Sequence, residues 1–260
     1  GTPLASLARW DGTTWQPVGG GIGSGGAVFA FTTYNGNLVI GGTFSEVGSP
    51  AQLEDNVVAW NGTTWVSLAG GLDKIVRALA VYNSELVAGG YFVDRLVRFN
   101  GTSWARVGDG FDPIGGIEAL AVLNSKLYVG GSFYGVNAGN TPAANVASWD
   151  GTTFAPLGAG CGVAAADTVY ELTVYAGRLV IGGNFLTPGT GVTQWNGSAF
   201  VPLGGGVQGT VKAFAGTPTQ LFVGGQFRES SAGTRNLVRW NNGLGAFQRV
   251  NPSQGVDDVV

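Results

Sequence analysis

Short apolar runs of four to seven residues alternate with glycine, asparagine and aspartate along the whole chain. One such run covers residues 76–82 (VRALAVY), another covers 86–92, and shorter ones cover 96–99 and 104–107. Runs of this length that are rich in Val, Leu, Tyr and Phe and are bounded by turn residues predict β-strands. Because no window shows the 3.6-residue apolar period of an amphipathic helix, the pattern predicts an all-β protein.

The strands belong to a repeat of four, here called A to D, that recurs every 39–50 residues. Its markers are an apolar strand A, a Gly-Gly pair at the end of strand B, and two aromatics that flank a turn between strands C and D. The aromatic motif reads WDGTTW at 10–15, WNGTTW at 60–65 and FNGTSW at 99–104, with variants from 149, 195 and 240. Four-stranded antiparallel units at this period predict the blades of a β-propeller, whose sheets bury their faces against one another.

The markers also predict local contacts within and between blades. Asp-Gly and Asn-Gly favour tight hairpin turns, so the two aromatics should pair across each C–D hairpin and stabilise it. The Gly-Gly pair should let strand B pass close to a neighbouring aromatic, where a Cβ atom would clash.

The pattern ALAVYNxxLxxGGxF…LxRWDGTTWxxxGGG resembles the kelch-type propeller repeat in its Gly-Gly pair and its later Trp. It resembles more closely the LARWDGTxW repeats of large secreted or cell-surface bacterial proteins. The resemblance covers nearly the whole chain and implies a propeller fold. Such propellers include enzymes, lectins and passive scaffolds, so it implies no single function. The chain departs from typical kelch repeats in its glycine-rich loops between strand D and the next strand A.

We predict a single β-propeller domain over residues 1–260, with six blades of which the last is completed by N-terminal strands. Residues 1–20 supply strands C and D of this closing blade, and residues 256–260 match the start of its strand A. Three alternatives remain open: further residues complete the blade, the blade has three strands, or five blades close the ring and the extra strands pack outside it or onto another chain. An oligomer through the incomplete blade is therefore one expectation. Full blades are predicted at 28–69, 75–108, 117–157, 168–204 and 211–252.

Composition and charge narrow the function classes. With 13 Lys and Arg and a net charge of −3, the chain lacks the basic surface that nucleic-acid binding needs. No apolar run reaches the 18 or more residues of a membrane-spanning helix, so we expect no membrane insertion. A single cysteine rules out an internal disulfide framework. Abundant glycine and scarce lysine suit an extracellular or cell-surface location, which is the localisation we predict.

The sequence offers little for catalysis. The absence of histidine removes Ser–His–Asp and Cys–His arrangements and the commonest metal ligand, so we expect no enzyme, no cofactor and no metal site. Cys161 has no sequence-adjacent base and is interpreted as an inert small residue. A glycosidase would need two opposed carboxyl groups. The candidate pairs are Glu54/Asp55, Asp109/Asp112 and Asp257/Asp258.

The second position of strand A carries charged and aromatic exceptions in an otherwise apolar strand, and we expect it to ring the mouth of the propeller channel. Two interpretations stay open: the ring clamps a polar ligand, or its charges neutralise one another. Glu171 stands where the other full blades have Ala, as a partner for Lys212 or as a general base. The candidate ligand-binding residues are Phe29, Arg77, Glu118, Tyr170, Glu171, Lys212 and Asp257.

In an antiparallel blade the B–C and D–A loops share one end, and these loops carry most of the variation between repeats. Variable loops on a repetitive scaffold are where binding usually resides, so a protein or carbohydrate partner is expected there. We expect a non-enzymatic extracellular module of a larger bacterial surface or secreted protein, with a structural or protein-interaction role. The alternatives are a lectin-like carbohydrate-binding propeller and a polysaccharide hydrolase or lyase that uses loop carboxylates.

Overall fold

The structure is a computed structural model that describes residues 6–112, 114–162, 164, 166–217, 219–229 and 234–250. Every helix or strand assigned within these ranges is a β-strand, which confirms the all-β prediction. The backbone forms two compact units, Gly1–Gly110 and Phe111–Val260.

The first unit contains a two-stranded hairpin followed by two four-stranded antiparallel sheets. A small two-stranded hairpin extends from the loop between strands B and C of the first sheet. The strands are β1 Ala8–Trp10, β2 Trp15–Pro17, β3 Ala27–Tyr34, β4 Asn37–Thr43, β5 Glu46–Val47, β6 Gln52–Leu53, β7 Val57–Trp60, β8 Trp65–Val66, β9 Val76–Tyr82, β10 Glu85–Gly90, β11 Leu96–Phe99 and β12 Trp104–Arg106.

The second unit contains three four-stranded antiparallel sheets with the same strand order, A-B-C-D. Its first sheet also carries a small two-stranded hairpin in the B–C loop. The strands are β13 Ile117–Leu123, β14 Lys126–Gly131, β15 Gly135–Val136, β16 Thr141–Pro142, β17 Val146–Trp149, β18 Phe154–Pro156, β19 Val169–Tyr175, β20 Arg178–Gly183, β21 Val192–Trp195, β22 Phe200–Pro202, β23 Gln208–Gly216, β24 Leu221–Glu229, β25 Thr234–Asn241 and β26 Ala246–Arg249.

The repeated aromatic motif forms the hairpin between strands C and D, as predicted. In the first full sheet Trp60 pairs with Trp65 across the two strands, and their ring centroids are 5.0 Å apart. The turn is held by Asn61, whose Oδ1 accepts the backbone N–H groups of Thr63 and Thr64. Asx turns of this kind mimic a backbone turn, and the following glycine takes up the positive φ. The other four-stranded sheets pair Phe99–Trp104, Trp149–Phe154, Trp195–Phe200 and Trp240–Phe247.

The Gly-Gly pair works differently from the prediction. In the first and third sheets a Cβ on the first glycine would meet a valine of the next sheet, as Gly41 meets Val76 and Gly130 meets Val169. An aromatic neighbour is found at Gly182, whose Cβ would lie 2.6 Å from the Phe214 ring. The second glycine faces a backbone carbonyl near the start of its own strand A. Close approach between neighbouring sheets and to backbone carbonyls therefore explains these glycines, and at Gly182 the neighbour in the next sheet is also an aromatic ring.

The core of each unit lies between successive sheets. In the first unit, Val39 and Val57 of one sheet pack with Val76 and Leu86 of the next. In the second unit, the equivalent layer contains Cys161, which is fully buried. Burial raises the pKa of the Cys161 thiol, so the thiolate is disfavoured and the residue is a small core side chain. The sheets thus bury their faces against one another, as propeller blades do.

Candidate functional site

The candidate residues at the second position of strand A that the structure describes occupy one structural feature, a β-bulge. In each full sheet the register between strands A and B slips by one residue at that point. In the first sheet, Val28 pairs with Gly42 and Ala30 with Gly41, so Phe29 has no partner on strand B. A bulge leaves one residue unpaired and re-aims its side chain. The equivalent unpaired residues are Arg77, Glu118, Tyr170 and Lys212.

The second glycine of the Gly-Gly pair makes this bulge possible. A Cβ on Gly42 would collide with the carbonyl oxygen of Ala27, and one on Gly131 would collide with the carbonyl oxygen of Gly116. The carbonyl is rigid backbone and cannot move aside as a side chain could. The Gly-Gly pair and the charged or aromatic residues at the second position of strand A therefore have the same structural cause. That cause is the β-bulge shared by the five four-stranded sheets.

In the first unit, the bulge residues of neighbouring strands β3 and β9 form a cation–π pair. The guanidinium carbon of Arg77 lies 4.6 Å from the centroid of the Phe29 ring. Arg77 is half-buried, whereas Phe29 is exposed. A cation over an aromatic face at this distance is attracted by the ring quadrupole, by about 0.5–1 kcal/mol at exposed sites.

In the second unit, the same relation joins strands β19 and β23. The ammonium nitrogen of Lys212 lies 3.2 Å from the centroid of the Tyr170 ring. Glu118, on the preceding strand β13, is buried. The described residues at the second position of strand A thus comprise two cation–π pairs and a buried carboxylate. Asp257, the remaining member, lies outside the described residues.

Glu171 follows the bulge residue Tyr170 and is half-buried. Burial raises the pKa of its carboxyl to about 7, against a smaller lowering effect of the Leu172 backbone N–H. The described residues include no ion pair to Glu171, and the Lys212 ammonium lies over the Tyr170 ring instead. A carboxyl that titrates near neutrality can exchange a proton, which is what an acid–base group requires.

One member of each described acidic pair considered for hydrolysis, Glu54 or Asp112, is engaged in a structural contact. Glu54 is buried and accepts a hydrogen bond from the Ser67 hydroxyl, and burial raises its pKa. Asp112 accepts the backbone N–H of Tyr134. The pair Asp257/Asp258 lies outside the described residues. Within the described ranges no group of three or more Cys, Asp or Glu side chains is arranged to hold a metal ion.

Sequence reasoning missed one recurring structural position, the residue immediately before strand C. Asn145 has φ +65° and donates from Nδ2 to the Cys161 carbonyl oxygen at 2.8 Å. Asn56 has φ +63° and donates in the same way to the Leu72 carbonyl. These bonds tie the B–C loop of a sheet to the D–A loop that follows it. The recurrence of Asn or Gly before strand C was the available signal, since both residues tolerate a left-handed backbone.

The B–C loops share their end of each sheet with the D–A loops, and every B–C loop that the structure describes completely exposes a large apolar side chain. Leu53 is 84% exposed, Val93 is 74% exposed and Leu186 is 72% exposed, while the loop of the third sheet exposes Tyr134. In the first four sheets the turns at the opposite end contain Asn, Asp, Gly, Ser, Thr and Ala, whereas the C–D turn of the fifth sheet exposes Leu244. Contiguous exposed apolar patches mark interaction surfaces, and these loop side chains are the candidates for such a patch.

A polar cavity of about 410 Å³ opens among the loops of the first unit. Its lining residues include the glycine-rich segment 23–26 and the polar residues Thr43, Glu46 and Asp55. Phe44 also lines the cavity and is buried. Hydroxyl and carboxylate oxygens beside an aromatic ring could bind a polyhydroxylated ligand.

Comparison with solved structures identifies the fold as a β-propeller type. The WD40 β-propeller domain of Doa1 superimposes with a TM-score of 0.54 at 11% identity, covering 87% of this chain and 69% of that one. The extracellular domain of a putative one-component system from B. thetaiotaomicron gives a TM-score of 0.65 at 12% identity, covering 99% of this chain and 32% of that one. The computationally designed protein Ika8 gives 0.53 at 18% identity, covering 90% and 64%.

These likenesses establish the fold alone, because all three identities are below 20%. The chain spans about a third of the extracellular domain and under two thirds of the designed protein. No protein-family model matches the sequence, and no curated protein matches it. The prediction of a propeller fold is confirmed, whereas the kelch-type assignment and the number of blades stay predictions. No helix among the described residues is long and apolar enough to cross a membrane.

Proposed function

We propose that this chain is a non-enzymatic, extracellular protein-interaction module of a larger bacterial surface or secreted protein, and that it binds its partner through the B–C loops. The observation that carries the proposal is the exposure of Leu53, Val93 and Leu186 on the B–C loops of the first, second and fourth sheets, whose turns at the other end are polar. Burying large apolar side chains drives most protein–protein association, at roughly 25 cal/mol per Å².

Two further points support this role. The cations at the bulges pair with aromatic rings of neighbouring sheets, which gives them a structural use within the fold. The likeness to an extracellular domain agrees with the glycine-rich, lysine-poor composition that suits an extracellular location.

Site-specific photo-crosslinking tests the proposal. A benzophenone amino acid is placed at Leu53, Val93 or Leu186, and at Thr102 or Thr152 in the turns as matched exposed controls. In cells that produce the protein, the loop positions should give one discrete crosslinked protein and the turn positions should not. Crosslinks from both ends alike, or from the turns alone, would contradict the proposal.

A carbohydrate-binding function is the second candidate, and the polar cavity beside Phe44 favours it. Its test is a glycan array probed with the chain and with Asp55→Asn. Loss of glycan binding in the variant would assign the ligand to this cavity. Glycan binding that persists in Asp55→Asn but disappears in Leu53→Ser would instead place the ligand on the apolar loop.

A further inference from the structure

The Trp10–Trp15 pair is exposed, unlike the aromatic pairs of the four-stranded sheets. Trp10 is 50% exposed and Trp15 is 60% exposed, whereas the rings at the other C–D hairpins are buried or half-buried. Its geometry nevertheless matches theirs, with centroids 5.5 Å apart against 5.0 Å for Trp60–Trp65. The Asp11 carboxylate holds the turn as Asn61 does, by accepting two backbone N–H groups. The pair is therefore preformed.

The covered pairs show what fits on such a surface. Trp60 and Trp65 lie under Gly19, in the loop after strand β2, and the Gly19 carbonyl accepts the Trp65 indole N–H at 2.8 Å. A Cβ on Gly204, after strand β22, would lie 2.9 Å from the Trp240 ring. Both glycines have φ between +54° and +59°. In both cases the aromatic pair is thus covered by a glycine with a left-handed backbone that follows a short strand.

The size of this covering residue follows the size of the first aromatic. Where the first aromatic is Trp60 or Trp240, the covering residue is Gly19 or Gly204. Where it is Phe99, the residue at the equivalent left-handed position is Ala69, with φ +56°, and the neighbouring Leu68 carbonyl accepts the Trp104 indole N–H. The smaller ring leaves room for a methyl group. Because Trp10 is a tryptophan, a glycine should be required over it.

We propose that the exposed Trp10–Trp15 pair is a docking site for a glycine-rich loop of another polypeptide, one in which a short β-strand is followed by Leu or Val and then Gly. Strand β1 supports this assignment, because within the described residues it pairs with β2 alone, whereas the strand C of each four-stranded sheet also pairs with strand B. The site is separate from the apolar B–C loops, so it does not depend on the proposed function.

The test uses a synthetic peptide with the sequence FVPLGGGV, which is residues 200–207 of this chain and contains no tryptophan. It is titrated into the full-length ¹⁵N-labelled chain while the indole N–H resonances of its 8 tryptophans are recorded. Assignment comes from Trp10→Phe and Trp15→Phe. The Trp10 and Trp15 resonances should shift, and that of Trp104, already bonded to Leu68, should not.

A swap of residue sizes makes the test specific. The peptide FVPLAGGV, with Ala in place of the covering Gly, should bind the natural chain at least tenfold more weakly. In Trp10→Phe, which imitates the Phe99–Ala69 combination, this preference should fall below threefold. Circular dichroism of each variant confirms that it is folded.

Three results would overturn the proposal. One is an absence of shifts at Trp10 and Trp15 at millimolar peptide, and another is equal affinity of the natural chain for both peptides. The third is a shift of the two resonances with protein concentration alone, which would show that a second copy of this chain occupies the site.

Discussion

Lys212 places its ammonium group 3.2 Å from the centre of the Tyr170 ring, and both residues are the unpaired members of β-bulges in neighbouring sheets. Arg77 and Phe29 repeat the relation in the first unit. The cation of one strand A thus lies over the aromatic ring of the strand A before it. The cations at the second position of strand A thus stabilise contacts between neighbouring sheets. A ligand that bound to these cations would have to displace their contacts with the aromatic rings.

A double-mutant cycle on Lys212 and Tyr170 should detect the pair. Tyr170→Leu and Lys212→Met should each lower the free energy of unfolding, and the coupling between them should be about 0.5–1 kcal/mol, as for exposed cation–π contacts. Urea titration supplies the measurement. Lys126→Met on an exposed strand position serves as the control and should show no coupling to Tyr170→Leu. Zero coupling for Lys212 would mean that the ring and the cation are neighbours without attraction.

Three features could be predicted from the sequence: the strand order, the aromatic pairs at the hairpins, and the equivalence of the charged or aromatic residues at the second position of strand A. Each depends on local turn chemistry or on the repeat period. The bulge could not be read from alternation, since a one-residue register slip changes no residue type. Its signal was the Gly-Gly pair, interpreted instead as packing on an aromatic ring. The raised pKa of Glu171 and the exposure of Trp10 depend on which neighbouring sheet covers a residue, and that is set by tertiary structure.

The two glycines of one pair should differ in what a methyl group costs. Gly131→Ala drives the new Cβ into the Gly116 carbonyl, so we expect a loss of about 2–4 kcal/mol of stability, in the range of strained backbone sites. Gly130→Ala meets the Val169 side chain, which can shift, and should cost less. Gly205→Ala is the control, because no atom lies within 4 Å of its Cβ position and its φ is not positive. Thermal and urea unfolding of the three variants would rank them, and equal losses would refute the bulge argument.

Asn145 should tolerate glycine better than alanine. Both substitutions remove the hydrogen bond to the Cys161 carbonyl, and leaving that buried acceptor unpaired costs about 1–3 kcal/mol. Alanine must also adopt φ +65°, which adds roughly 1 kcal/mol that glycine avoids. Gly191 holds the equivalent position in the next sheet with φ +69°, which shows that the fold accepts glycine there. Equilibrium unfolding should therefore give the order Asn, then Gly, then Ala, and an Ala variant as stable as the Gly variant would contradict it.

The stability of the chain should fall between pH 4.5 and about 7 because of Glu171. Its folded pKa of about 7 lies above the value of 4.5 for an unburied carboxyl, so the folded state binds more protons than the unfolded state within that window. Stability then decreases as the pH rises, and the lower value persists above the folded pKa. Because the side chain is only half-buried, we expect a change of about 1–2 kcal/mol rather than the full value of the shift.

The variant Glu171→Ala separates this effect from the other carboxyl groups, because Ala is the residue at the equivalent positions 30, 78, 119 and 213. It should remove that part of the pH dependence and raise the stability at pH 8 by about 1–2 kcal/mol, since no charged carboxylate then has to be buried. Glu171→Gln keeps the size and should behave similarly. Urea unfolding at pH 5 and pH 8 supplies the comparison. A natural chain that is more stable at pH 8 than the size-matched Glu171→Gln would show that the carboxylate has a cationic partner and that its pKa is not raised.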